Sequence, residues 1–265
     1  MNSCSRSVPP RIPVLEEDLE YAIFVNEKGC AVVGRDISGL MRGYFDLLMK
    51  LKPHEGKYIL CHTCRQSNYL LKNRMIHICV FPENDLYFIK KLIRLAALCQ
   101  YTHIVIEFWG MLRYDRLKEL AWPHAFTKAE AGELIRECRE LGMEPVPMFN
   151  HLGHATGSRL CYGKHVVLDQ NAELEHLFTP DGWAWNIGSS EVAELLRGIR
   201  NELFEVFGTG EYCHIGCDEA YYISRCPQMR QVLRCIYFLL VGVQRTSGGD
   251  GHTSAPGKLR RKLLR

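Results

Sequence analysis

The sequence has no apolar stretch long enough to cross a bilayer. Its longest such run, residues 236–243, is far shorter than the roughly 20 residues a spanning helix needs. Residues 1–13 lack the apolar centre of an export signal, and Arg6 and Arg11 interrupt them, so a cytoplasmic protein without a membrane partner is expected. Charge of one sign is also scarce. The formal net charge is +3, but the segment from Gln244 to Arg265 carries six basic residues against Asp250 alone, leaving the rest at −2. A slightly acidic body argues against a nucleic-acid-binding surface. No Gly-x-Gly-x-x-Gly or phosphate loop follows the first strand of the repeating region, which disfavours a nucleotide-binding sheet, and no cofactor is expected.

Cysteine is plentiful, twelve in all, but a framework for it is missing. The thiols are scattered through apparent strands and helices, and reduced, mostly buried cysteines are the expectation. Cys61-His62-Thr63-Cys64 supplies half of a zinc site. No second Cys-x-x-Cys or spaced His pair completes it, and His77 and Cys79 fall on a predicted strand. His151, His154 and His214 offer a second metal reading. The glycine between the first two and the absence of an acid cluster with them disfavour it, so no metal is expected.

Two patterns organise what is present. Residues 1–72 read as a small α+β unit. The runs 21–25 and 30–33 are joined by a hairpin signal at Asn26-Glu27-Lys28-Gly29, and a strand is expected at 58–61. Between them, Leu40, Tyr44, Leu47, Leu48 and Leu51 recur at helical spacing and define the expected buried face of a helix. From residue 73 strands alternate with helices, with strands predicted at 75–81, 103–108, 144–149 and 212–216. The helix before the third strand is the best specified. Thr127 and Glu130 form a capping box, Ala131, Leu134, Ile135, Cys138 and Leu141 make its apolar face, and Gly142 ends it. Alternation of this kind implies an α/β fold with a parallel sheet and right-handed crossovers, and a TIM-type (β/α) barrel is the expectation. Only the first half of such a barrel is evident, at 73–235. Residues 236–265 carry no periodicity and read as a disordered basic tail on a truncated chain. The open edge of a half barrel would offer a route to self-association.

The chemistry concentrates at the end of the fourth predicted strand, Tyr212-Cys-His-Ile-Gly-Cys-Asp-Glu-Ala-Tyr-Tyr222. If the strand continues, His214, Gly216 and Asp218 share one face, and Glu219 lies on the loop at the carboxyl mouth where barrel enzymes keep their sites. Adjacent carboxylates repel, which raises the pKa of at least one and suits a general acid. A solvated loop is the plainer reading of an Asp-Glu pair. Its place at the end of a buried strand, after His-x-Gly, favours the functional one.

This segment resembles the glycoside hydrolase family 20 signature His-x-Gly-Gly-Asp-Glu, with Cys217 in place of the second glycine. Phe149-Asn-His-Leu-Gly-His-Ala155 is similar to that family's third-strand motif Asp-x-Pro-Gly-His, with Asn150 in place of aspartate. Residues 1–72 resemble the small α+β domain that precedes the family's barrel. The resemblance implies a β-N-acetylhexosaminidase-like glycosidase. It retains configuration because the substrate's own 2-acetamido oxygen attacks the anomeric carbon to form an oxazolinium. On this chain Glu219 would be the acid/base and Asp218 would orient the acetamido group. His154 would hydrogen-bond the acid, with Glu107 as that histidine's acidic partner. The implied partner is a carbohydrate, an N-acetyl-hexosaminide. No arginine follows the first strand to grip sugar hydroxyls, where the sequence reads Phe81-Pro-Glu-Asn84. Trp183 and Trp185, in the loop before the fourth strand, either stack on sugar rings or bury the loop. The rival reading is a non-catalytic fragment serving as a sugar-binding or interaction module.

Overall fold

The hairpin signal at 26–29 is realised in a computed structural model, which describes residues 15, 18–67, 69–155, 171–180 and 182–220. The run 236–243 and the tail at 236–265 lie outside the described residues. The chain divides into two compact units. The first comprises Met1–Ile78, Asp85–Val105 and Glu133–Pro145, the second Cys79–Asn84, Ile106–Gly132 and Val146–Arg265.

In the first unit, β1 (Tyr21–Asn26) pairs antiparallel with β2 (Gly29–Gly34) and, on its other side, with β5 (Thr63–Ser67). Helix α1 (Ile37–Leu48) starts on Asp36, whose side chain accepts the Gly39 N–H at 2.6 Å. A two-stranded hairpin, β3 (Lys52–His54) with β4 (Lys57–Ile59), follows. The strand expected at 58–61 thus ends at Ile59, and β5 is an additional strand that polar Thr63-Cys-Arg-Gln-Ser67 conceals from pattern reading.

The expected face of α1 is corrected. Leu40 and Tyr44 are 43% and 48% exposed, Leu48 and Leu51 are also exposed, and of that set only Leu47 is buried. The helix buries Gly39, Arg42, Gly43, Phe45 and Leu47 instead. Its backbone lies so close to the sheet that a Cβ on Gly43 would stand 2.5 Å from Val32 Cγ1 and 3.0 Å from Tyr21 Cδ2. Periodicity finds a stripe of large side chains, whereas close helix–sheet contact selects a stripe of small ones. The expectation of mostly buried thiols is also corrected. Among the described cysteines, which are all free, only Cys138 is buried. Cys30 and Cys64 stand on exposed strand positions. Burial pushes the Cys138 thiol up to about 12.

Strands β6 (Met75–Cys79), β7 (His103–Glu107) and β8 (Glu144–Met148) form a parallel sheet in chain order. Helix α2 (Leu86–Leu98) connects the first two, and α3 (Lys128–Glu140) the second and third. Asp85 caps α2 through the Phe88 N–H at 2.6 Å. The capping box of α3 is present, with Thr127 N–H donating to Glu130 Oε2 at 2.8 Å and Glu130 N–H to Thr127 Oγ1 at 3.2 Å. Ala131, Leu134, Ile135 and Cys138 are buried as expected. Lys90–Glu133 (3.2 Å) and Arg94–Glu137 (2.6 Å) tie the outer faces of α2 and α3. Helix α4 (Ser190–Phe207) buries Val192, Leu196, Ile199, Leu203 and Phe207. Among the described residues, no helix is long and apolar enough to cross a membrane.

Two predictions follow from the packing of the first unit. Gly43→Ala should lower stability by about 1–3 kcal/mol through overpacking, although alanine is the better helix former by roughly 1 kcal/mol. Denaturant melts that show stabilisation would contradict the close approach. The second concerns Glu20, which receives Arg42 Nε at 2.8 Å and Arg74 at 3.0 Å. Burial raises its pKa, but the two guanidiniums outweigh burial and hold the carboxyl below its ordinary 4.5. A depressed folded pKa adds stability above the unfolded value and loses it as pH falls through the folded one. Glu20→Gln should therefore cost about 1–2 kcal/mol at neutral pH, after allowance for solvent screening. Below the depressed folded value the gap between variant and wild type should close. A gap unchanged from pH 7 to pH 3 would exclude this account.

Candidate functional site

The carboxyl ends of β7 and β8 belong to the second unit, as do the segments that follow them. His214 makes a parallel bridge to Met148, so its segment lies beside β8 as the fourth member of the series. His214 N–H donates to Pro147 O at 2.9 Å, Phe149 N–H to His214 O at 3.3 Å, and His151 N–H to Ile215 O at 2.9 Å.

The segment is extended only briefly, which corrects the expectation of a continuous strand face through His214, Gly216 and Asp218. Gly216 has φ +65°, and Cys217 (φ 76°) and Glu219 (φ 46°) also occupy the left-handed region. The turn arises because Gly216 lies against Asn150, where a Cβ would collide with Oδ1. His214 Nδ1 accepts the Gly216 N–H at 3.1 Å across the same bend. His154 is left-handed as well, at φ 57°. Left-handed non-glycine residues are costly and cluster at functional sites.

This backbone brings three of the expected residues together. His154 Nε2 lies 3.2 Å from Glu219 Oε2 and 3.5 Å from Asp218 Oδ2. One imidazole therefore faces both carboxylates, which are half to mostly exposed while the ring is largely covered. Gly153 makes the approach possible, since a Cβ there would collide with the Asp218 carbonyl and meet the Glu219 carbonyl at 3.0 Å. In the sequence, the only signal of Gly153 is a glycine between two histidines.

Glu107 ends β7 and is 3% exposed, next to Asn150 at 2%. Asn150 Nδ2 donates to Glu107 Oε1 at 2.7 Å, so the acid meets the motif through its asparagine. Asn150 Oδ1 is buried without a hydrogen-bond partner among the described residues, and so is the Tyr114 hydroxyl. Burial, with Glu107 and Glu202 nearby, drives the Tyr114 pKa up. Glu202, on α4, accepts the Asp115 and Arg116 N–H groups at 2.7 and 3.0 Å and lies 3.0 Å from Lys128.

The two tryptophans separate. Trp185 is fully buried, stacked on Phe178 with ring centroids 4.7 Å apart, and donates Nε1–H to Asn150 O at 2.9 Å. It buries the loop and is not available to a sugar. Trp183 is half-buried, with its ring 4.7 Å from that of His154 and its Nε1–H on the Glu219 carbonyl. His151 makes the plainer contact considered for it. Its Nδ1–H donates to Phe149 O at 2.6 Å, leaving Nε2 to accept from Arg200 at 3.3 Å. Burial lowers its pKa, which agrees with a neutral ring. Arg200 was not singled out from the sequence; its signal was a cation beside the apolar stripe of α4. Among the described residues no group of His, Cys, Asp or Glu is placed to hold a metal ion, and Cys61 and Cys64 are both exposed.

No family model matches the chain. It is 26% identical over 132 residues to hexosaminidase D from Bos taurus, a match covering 49% of this chain and 36% of that protein. Among solved structures it is similar to the Streptomyces plicatus N-acetyl-β-hexosaminidase in complex with Thio-NAglucal. The TM-score there is 0.67 at 18% identity, covering 87% of this chain and 50% of that one. The family 20 β-N-acetylhexosaminidase from Streptomyces coelicolor A3(2) gives 0.65 at 19%, covering 79% and 47%. The chain thus spans half or less of the length of these relatives. Its described part carries the fold of glycoside hydrolase family 20 β-N-acetylhexosaminidases, the family its two strand-end motifs resemble.

Proposed function

We propose that this chain carries the acid/base half of a retaining, substrate-assisted β-N-acetylhexosaminidase acting on terminal N-acetyl-hexosamine. The observation that carries the reading is the single imidazole of His154 facing both Asp218 and Glu219 at the end of the fourth strand segment. Glu219 protonates the leaving oxygen and then activates water. Asp218 holds the acetamido N–H and stabilises its growing positive charge while the acetamido oxygen attacks. Adjacency suits this division, because one acid serves the leaving group and the other a substituent on the same sugar. On this reading residues 1–72 precede a barrel whose first half lies at 73–235, and the protein works in the cytoplasm. The rival reading is a non-catalytic sugar-binding or interaction module.

The departure at Cys217 fits this reading at a cost. Its φ of 76° lies where glycine is unstrained. Partial desolvation, then the neighbouring Asp218, pushes its thiol pKa up although the residue is exposed, which favours a protonated thiol beside the acids.

The full chain should hydrolyse an aryl N-acetyl-β-hexosaminide and ignore the matching 2-hydroxy glucoside, which lacks the internal nucleophile. Glu219→Gln should lower kcat/KM by about 10²–10⁴-fold for poor leaving groups and far less for activated ones. Asp218→Asn should slow both. Absence of turnover together with absence of binding to a thiazoline mimic of the intermediate would establish the module reading instead. Cys217→Gly should raise stability by about 0.5–1 kcal/mol, or Tm by roughly 1–3 °C, as relief of the left-handed backbone exceeds glycine's added chain entropy. A lower Tm would show that the thiol's packing outweighs the backbone strain.

A further inference from the structure

We infer that Trp183 is a positioning residue that sets the acid Glu219 through its backbone, rather than a platform on which the sugar stacks. The inference rests on the proposed roles of Glu219 and His154 and assigns what holds them. Glu219 sits in the left-handed region, at φ 46°, where a glutamate does not rest without support. Its carbonyl receives the indole N–H of Trp183, and Gly153 lies against the same peptide from the β8 side. The strained residue is thus held by a hydrogen bond through its own carbonyl and by a close backbone contact.

The same indole reaches the other member of the pair. Its ring lies 4.7 Å from the His154 imidazole at an interplanar angle of 52°. Nε2 of that imidazole points at Glu219 Oε2 and Asp218 Oδ2. His154 is itself left-handed, at φ 57°. One side chain therefore contacts two of the site's three strained residues, through its edge at Glu219 and its ring at His154. Its N–H is already committed, and the imidazole packs against its ring. Trp183 in turn is carried on a loop pinned by fully buried Trp185 and by the Ala155 N–H donating to Trp183 O at 2.9 Å. The loop reads Gly-Trp-Ala-Trp because one indole anchors it and the other acts at the acid.

Trp183→Phe is the discriminating variant, because it keeps a ring and deletes the N–H. A sugar platform tolerates that exchange, whereas a backbone clamp does not. In the full chain, kcat/KM for an N-acetyl-β-hexosaminide with an alcohol leaving group should fall about tenfold, as mispositioning of a general acid predicts. An activated nitrophenyl substrate, which needs little protonation, should lose less than about threefold. Equal loss on both substrates, or a change confined to KM, would overturn the inference. A second measurement does not depend on turnover. The Trp183 indole N–H, assigned by its absence from the variant's ¹H–¹⁵N spectrum, should exchange slowly with solvent in the wild type and remain slow in Glu219→Gln, whose backbone acceptor is intact. Exchange at the rate of an exposed indole would refute the clamp. A wild type with no turnover but a protected indole would fail the proposed activity while leaving the clamp standing.

Discussion

The site depends on backbones approaching where no side chain fits. Gly216 lies against Asn150, and Gly153 against the Asp218 and Glu219 carbonyls. A methyl group at either position would force the end of the fourth strand segment away from β8. The carboxylates would then leave the imidazole that they share. Register does the rest: the bridge from Met148 to His214 and the bond from His151 N–H to Ile215 O fix which residues meet at the mouth. Parallel pairing fixes position along the strand, and the glycines fix the distance across it.

Beneath this contact lies a buried polar layer. Glu107 is held by the Asn150 amide, and Trp185 donates to the carbonyl of the same asparagine. Asparagine is chemically suited to this place. An aspartate there would set a second carboxylate 2.7 Å from the first with little water to screen them, which would force a shared proton. Glu202 plays a comparable part for the connection before α3, where its carboxylate takes two backbone N–H groups and the Lys128 ammonium. Buried charge in this unit is matched by donors, and so it organises loops instead of destabilising them.

Strain is the other side of the arrangement. His154, Cys217 and Glu219 all occupy left-handed backbone that glycine would adopt more easily. Such conformations persist only where surrounding contacts over-determine them, and here the contacts are Gly153, Trp183 and the strand pairing. The strain sits on or beside the residues proposed as acid and orienting group, where, on the proposed function, rigidity has most value for a proton transfer.

Several of these features were legible in the chain. Strand–helix alternation from residue 73 placed β6, β7 and β8, because a parallel sheet covered by helices needs near-continuous apolar runs. The Thr127–Glu130 capping box marked α3 to within a residue, since both partners lie within one helical turn. The motifs around His154 and Asp218-Glu219 marked two strand ends that the fold brings together, because such short segments stand out by their residue types. Other features needed the fold. Hydrophobic spacing chose the wrong face of α1, because close packing on a sheet selects small residues over large ones. The bend at Gly216 was invisible, because a left-handed residue is required by a neighbour from a different strand. The division of labour between Trp183 and Trp185 depended on which indole met Asn150 and which met Glu219, and those contacts join residues about 35 positions apart. Local sequence determined the elements and the chemical groups. Only tertiary contact decided which groups touch, because contact energy belongs to pairs that the chain separates.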